Sequence, residues 1–199
     1  MKMMSLGIVF GAALAVCAHG AEVSGPDANG FTWATVRAPG NVGLPHGPYG
    51  VHQGRGVVNY DYRIATTEMY TDQWLEFANT FSMQSDELDE LVKPIGWGAR
   101  SDLNYSGPGN RYIYDYEFFY PPEGPGRTHI GVSWRQAAMY CNWLHNGKTS
   151  DPASLMSGAY DTSTFTQNPD GTFNDQSTRS PGATYWIPSL DEYIKAAFY

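Results

Sequence analysis

The chain has 199 residues and a formal charge of −8, and it becomes more acidic still once Lys2 leaves with a cleaved leader. Such a surface repels phosphate backbones, and no Lys/Arg cluster interrupts it, which excludes nucleic acid as a partner. An aromatic content of 15% excludes disorder, and 22 glycines beside 13 prolines predict much ordered loop pinned by large rings.

Lys2 precedes an apolar run over residues 6–16, which gives way to the small residues Ala18, Gly20 and Ala21. This order of charge, apolar stretch and small-residue exit predicts a signal peptide over residues 1–21, cleaved after Gly20 or Ala21. The run has no polar face, so it does not read as an amphipathic helix, and it falls short of the ~20 residues that span a bilayer. Leu14-Ala15-Val16-Cys17 departs from a lipoprotein attachment box at Val16, where a small residue belongs. No later segment is apolar over a spanning length. Cys17 goes with the leader and Cys141 stays alone, so the exported chain has no internal disulfide and must hold itself together by packing.

Residues 22–56 read as a loop-rich segment with a short extended piece at 31–36. Alternation over residues 57–64 predicts a strand. Thr71 is placed to cap a helix through Phe81, with Trp74, Phe77, Ala78 and Phe81 at helical spacing. Ser85 opens a short helix with Asp86, Glu87, Asp89 and Glu90 near its positive end, and Pro94 ends it; the acid run reads as a solvated face. Residues 96–110 read as loop, residues 111–120 as an aromatic strand closed by Pro121-Pro122, and 124–131 as a connector. Ser133-x-x-Gln136 is a capping box opening a helix that stops at Asn146-Gly147. Residues 151–180 form a polar excursion with a hairpin at Asn168-Pro169-Asp170-Gly171. Ser189-x-x-Glu192 is a second capping box, and its helix runs to Phe198. The chain stops at Tyr199 with no helix-ending signal, which reads as a truncated product whose last helix has no partner for its aromatic face.

Three blocks resemble one family. Val132-Ser133-Trp134 followed by Ala137, Tyr140-Cys141 and Trp143 is similar to the V-S-W-x-x-A-x-x-Y-C-x-W stretch of sulfatase-modifying-factor (formylglycine-generating-enzyme-like) domains. Trp186-Ile187-Pro188-Ser189 with Glu192 and Ala196-Ala197 resembles that family's L-P-T-E-A-E-W-E-x-A-A segment. Tyr62, Ile64, Glu68-Met69, Trp74 and Phe77 resemble its opening block. The blocks stand in the right order across residues 57–199, and their wording is closest to exported bacterial members.

The resemblance implies an α+β fold related to the C-type lectin scaffold, rich in irregular structure, over a domain at 57–199 that is incomplete at its C-terminus. It also implies calcium in some members. In active members it implies conversion of a sulfatase cysteine to formylglycine by a cysteine pair and copper. That pair lies in the second half of the family's domain, beyond this chain, so no catalytic or cofactor-binding residue carries over. Ser133, Trp134, Cys141, Trp143, Trp186, Pro188 and Glu192 are the structural motif.

Residue by residue, the candidates weigh toward structure. Copper(I) calls for two thiolates, and Cys141 sits on the apolar side of its helix, where a thiol packs as a small hydrophobe. His46, His52, His129 and His145 lack short metal-ligand spacing, and His145 suits a helix C-terminus. Asp170, Asn174 and Asp175 are weak calcium candidates whose spacing misses the calcium-loop pattern. Trp134, Trp143, Trp186 and Tyr193 offer sugar-stacking faces or, on their helices, core. Arg135 is a candidate to pair with Asp191 or Glu192 across two helices, at little energetic gain. The reading is an exported (periplasmic, cell-surface or extracellular) non-catalytic binding or structural module for a protein or carbohydrate ligand. Its alternative is an oxidase of sulfatases whose catalytic half, with the copper-binding cysteines, lies elsewhere.

Overall fold

The computed structural model describes residues 22–45, 53–115 and 128–198. The leader with Cys17, the histidines 46 and 52, the second half of the aromatic strand with its closing prolines, most of the connector, and Tyr199 lie outside the described residues. In chain order the elements are β1 (Val23–Ser24), β2 (Trp33–Val36), β3 (Tyr62–Ala65), α1 (Thr71–Phe81), α2 (Asp86–Val92), β4 (Ala99–Ser101), β5 (Tyr112–Tyr114), α3 (Trp134–His145) and α4 (Leu190–Phe198). Two 3-10 turns, Pro152–Leu155 and Thr162–Thr164, stand between α3 and α4. The class is mixed α+β with small antiparallel sheets. Among the described residues no helix is long and apolar enough to cross a membrane. The described residues form two compact units, one comprising 69–187 and the other joining those of 22–68 to 188–198.

The first unit is built on aromatic rings at helical spacing. Trp74, Phe77 and Phe81 all face inward from α1, and Phe77 is the hub. Its ring lies 4.8 Å from Trp74, 5.6 Å from Phe81, 5.4 Å from Tyr140 and 5.3 Å from Trp143. Separations of this size in tilted and edge-on geometry are the favoured aromatic arrangement. The cap of α1 differs from expectation. Tyr70 is the N-cap residue, and Gln73 reaches back to accept its N–H at 2.8 Å. Thr71 is the first helical residue, and its hydroxyl donates to the Thr128 carbonyl at 2.7 Å.

The acid run of α2 is not uniformly solvated, which corrects the reading above. Ser85 caps the helix as expected, but Asp89 is buried. It accepts from the Tyr112 hydroxyl at 2.5 Å and pairs with Arg111 at 3.0 Å, so a buried charge is compensated twice. The stretch read as loop contains β4, paired with β5 through Ala99↔Tyr114 and Ser101↔Tyr112. Three residues are too few for a periodic signal, and the pairing is fixed from outside the strands. Asn79 of α1 both donates to and accepts from the Tyr112 backbone at 2.9 Å.

The second unit joins the loop-rich segment to the end of the chain. β1, β2 and β3 form an antiparallel sheet in sequence order. Register pairs Ala34 with Ile64 and Val36 with Tyr62, which gathers those four buried side chains on one face. Residues 57–60 do not extend the strand, contrary to the alternation. The Val58 carbonyl instead accepts from the Gly40 N–H at 3.0 Å and from the Lys195 ammonium at 3.1 Å.

The face that α4 buries is not its aromatic one: Tyr193 is half-exposed and Phe198 exposed, whereas Glu192, Ile194, Lys195 and Ala196 are buried. Ser189 and Glu192 form the expected capping box, with bonds of 2.7 and 3.2 Å. Glu192 also accepts from Tyr60 at 2.9 Å, the Tyr62 hydroxyl donates to the Glu192 carbonyl, and Lys195 donates to the Ala38 carbonyl at 2.8 Å. The helix therefore has its partner in the N-terminal sheet and loops, fixed by polar groups.

Candidate functional site

The start of α3 sets the direction of two neighbouring side chains. Ser133 Oγ accepts from the Gln136 N–H at 3.2 Å while Gln136 Oε1 accepts from the Ser133 N–H at 3.0 Å. The Gln136 amide also donates to the Lys93 carbonyl at 2.8 Å, which ties the helix start to the end of α2. Trp134 and Arg135 then project from a fixed first turn.

Trp134 packs edge-on against Tyr160 at 5.3 Å and Phe165 at 5.7 Å. Arg135 makes a two-pronged ion pair with Asp175, its Nε and one terminal nitrogen each 2.7 Å from a carboxylate oxygen. Its guanidinium lies over Phe165 at 5.4 Å and over Phe173 at 5.1 Å. A planar cation gripped on one edge by a carboxylate and lying within cation–π range of two rings is constrained in its orientation. Asp175 raises the pKa of the guanidinium further, through hydrogen bonding and charge, against the opposing cost of burial. Phe173, the outermost ring of this stack, is 60% exposed. The pairing of Arg135 is therefore with Asp175, within its own unit. Asp191 instead accepts from Arg55 at 3.0 Å and from the Gly56 N–H at 2.7 Å.

The loop that presents Phe173 is braced by its own polar side chains. Gln167 and Phe173 form a bridge at the base of the expected hairpin, and Gly171 supplies the positive φ of 86° that the turn requires. Asp170 accepts from the hydroxyl and the N–H of Thr172, which lower its pKa in that order. Asn174 exchanges amide hydrogen bonds with Asn168 at 2.9 and 3.0 Å. Each of the calcium candidates Asp170, Asn174 and Asp175 is thus engaged by a different partner. Among the described residues no three His, Cys, Asp or Glu side chains gather where they could share a metal ion.

The other sequence candidates are spread through the two units. Cys141 is buried against Ala138, Ala159 and Tyr160, and burial pushes its thiol up to about 12. At ordinary pH it is neither a thiolate nor within reach of solvent, so it does not fit the copper chemistry that the family resemblance implies. Trp143 is core, its indole N–H donating to the Thr149 carbonyl at 3.0 Å. Trp186 is half-buried, with the Arg179 guanidinium 3.9 Å from its ring centre. Pro188 is exposed just before the capping box of α4, and Tyr193 is half-exposed on that helix. His145 accepts the Thr184 N–H on Nδ1 at 3.2 Å. His129 stacks on Tyr70 with ring centres 5.2 Å apart, and its buried Nε2 has no hydrogen-bond partner among the described residues.

Phe165 and Phe173 are the residues around Arg135 that the sequence reading missed. They are the two phenylalanines of residues 151–180, 30 and more residues from Arg135, and nothing in their local spacing links them to it. Comparison with the models of known protein families, with curated proteins and with solved structures finds no match to this chain.

Proposed function

We propose that this chain is an exported domain of the sulfatase-modifying-factor type, on a scaffold related to the C-type lectins. On this reading it acts outside the cytoplasm as a non-catalytic binding module. The observation that carries the reading is the Phe165–Arg135–Phe173 stack, clamped by Asp175 and ending in an exposed ring. A large apolar side chain left in water on a rigid support is what recognition sites use, because it is ordered before the partner arrives. Its outer face suits the apolar face of a sugar ring or an apolar side chain of a protein.

Two further features support the non-catalytic reading. Several of the residues that carry the family resemblance, Trp74, Phe77, Cys141, Trp143 and Glu192, are buried and build the two units. The thiol that remains in the exported chain is enclosed by apolar groups.

The test has two arms. The purified chain is applied to a glycan array and to an isolated cell-envelope fraction, in wild-type form and as Phe173→Ala and Asp175→Ala. Binding lost in Phe173→Ala and weakened in Asp175→Ala is the expected result, and binding that survives both substitutions removes the stack from the account. In the second arm the chain is incubated with a Cys-x-Pro-x-Arg peptide, copper(I) and oxygen. We expect the peptide to be recovered unchanged by mass spectrometry, and an aldehyde product would overturn the non-catalytic reading in favour of an oxidase.

A further inference from the structure

We propose that Asn104 is an acceptor for N-linked glycosylation. Asn104-Tyr105-Ser106 is the one Asn-x-Ser/Thr triplet in the 199 residues, and Asp102 stands two positions before the asparagine. The triplet is what oligosaccharyltransferases read, with the Ser hydroxyl held by the enzyme so that the amide is aligned for attack. An acidic residue at the −2 position is the additional requirement of one class of bacterial transferases. This chain meets both conditions in a single pentapeptide.

The position in the fold fits. Asp102-Leu103-Asn104-Tyr105-Ser106 opens the loop between β4 and β5. Asp102 builds a turn, its N–H donating to the Arg111 carbonyl at 2.9 Å, its carboxylate accepting the Asn104 N–H at 2.9 Å and its carbonyl the Tyr105 N–H at 3.1 Å. The turn pushes Leu103 outward to 89% exposure and leaves Asn104 and Ser106 exposed. Neither the Asn104 carboxamide nor the Ser106 hydroxyl has a hydrogen-bond partner among the described residues, so the reacting amide and the hydroxyl that the transferase grips are both available. Asn79 and Asn142 differ in each respect, being buried, fully bonded and without a hydroxyl two residues on. Gly107 and Gly109, at φ of 119° and 97°, follow the triplet and relieve the backbone of side-chain sterics where a transferase must grip it.

The transfer balances without redox chemistry. The Asn104 amide nitrogen attacks C1 of the first sugar of a polyprenyl-diphosphate-linked oligosaccharide. The C1–O bond to the diphosphate breaks, an N–C1 bond forms, the amide proton passes to a carboxylate of the transferase, and the lipid diphosphate leaves.

The inference rests on the reading that the chain is exported, because these transferases act on the far side of the membrane. The experiment co-expresses the full chain in a bacterial host with an oligosaccharyltransferase and its lipid-linked glycan. It follows periplasmic delivery and the mass of the tryptic peptide spanning residues 101–111. A glycan-bearing peptide is expected in wild type and in Ser106→Thr, with loss to background in Asn104→Gln and Ser106→Ala. Asp102→Asn keeps the oxygen that accepts in the turn but removes the charge, and is also expected to lose the modification. Delivered chain whose 101–111 peptide is unmodified overturns the proposal. If the native leader does not deliver the chain, the export reading falls. The same measurement behind a proven leader then decides Asn104 on its own.

Discussion

Neighbouring residues on α3 do opposite work. The side chain of Cys141 only fills space, whereas that of Asn142, fully buried, donates to the Leu155 and Tyr160 carbonyls at 2.8 Å and accepts the Tyr160 N–H at 2.7 Å. Three bonds from one amide hold the segment after α3 in place, in surroundings where water cannot substitute. Asn142→Ala strands a buried donor and two acceptors and opens a small cavity, which corresponds to a loss of roughly 3 kcal/mol. Chemical denaturation followed by tryptophan fluorescence checks it, and a loss under about 1 kcal/mol would mean that the segment is held by other contacts. Cys141 supplies the contrast: its thiol is expected to resist alkylation in the folded chain and to react at once in denaturant. The inward position of Cys141 was legible from the helical period of its apolar neighbours. The role of Asn142 was not, because a single amide within an apolar face carries no sign of which carbonyls will surround it.

Capping boxes were the most legible feature at the scale of elements. Ser133 with Gln136, Ser85 at its helix start and Ser189 with Glu192 all form as spelled, because each is a local agreement between a side chain and orphan N–H groups within one turn. The short strands and the buried face of α4 were hidden for the converse reason. β4 exists only because β5 lies beside it, and α4 turns Glu192 and Lys195 inward only because Tyr60, Val58 and Ala38 meet them. The same long-range fit constrains Gly56. Its φ is 85°, its N–H is bonded to Asp191, and an added Cβ would stand 2.8 Å from Ile194 Cγ2. Gly56→Ala therefore combines backbone strain with a clash and is expected to cost about 2 kcal/mol. Ile194→Ala destabilises alone through the cavity it leaves, but the double variant is expected to fall short of the sum, since the smaller side chain relieves the clash. Strict additivity would show that only the backbone of Gly56 matters.

At the scale of the whole molecule the buried ionisable groups predict how each unit responds to alkali. In the first unit Cys141 and Tyr112 both have raised pKa values. Burial is the main cause for each, and Tyr112 is held protonated further by its hydrogen bond to Asp89 and the charges of Asp89 and Glu90, with Arg111 opposing. A group that keeps its proton in the folded state and releases it in the unfolded state contributes stability that is present at neutral pH. That contribution is lost, at about 1.4 kcal/mol per pH unit, once the pH passes the unfolded value, near 8.5 for the thiol and 10 for the phenol. Both groups in the first unit act in this sense. In the second unit Tyr62 acts likewise, raised by burial and then by the charges of Glu192 and the neighbouring Tyr60. Lys195 opposes it. Burial lowers its pKa against a smaller contribution from Asp61, so its folded form sheds a proton before its unfolded form does, and stability grows as the pH climbs toward about 10.4. The first unit is therefore the more alkali-sensitive. Peptide-resolved hydrogen exchange from pH 8 to 11, corrected for the intrinsic exchange rate, is expected to show protection falling first over residues 69–187. Tyr112→Phe and Cys141→Ala flatten that fall. Lys195→Met removes the opposing group and makes the second unit as steeply sensitive as Tyr62 alone dictates. Protection independent of pH in both units would mean that these groups titrate alike in the folded and unfolded chain, and that their burial carries no electrostatic cost.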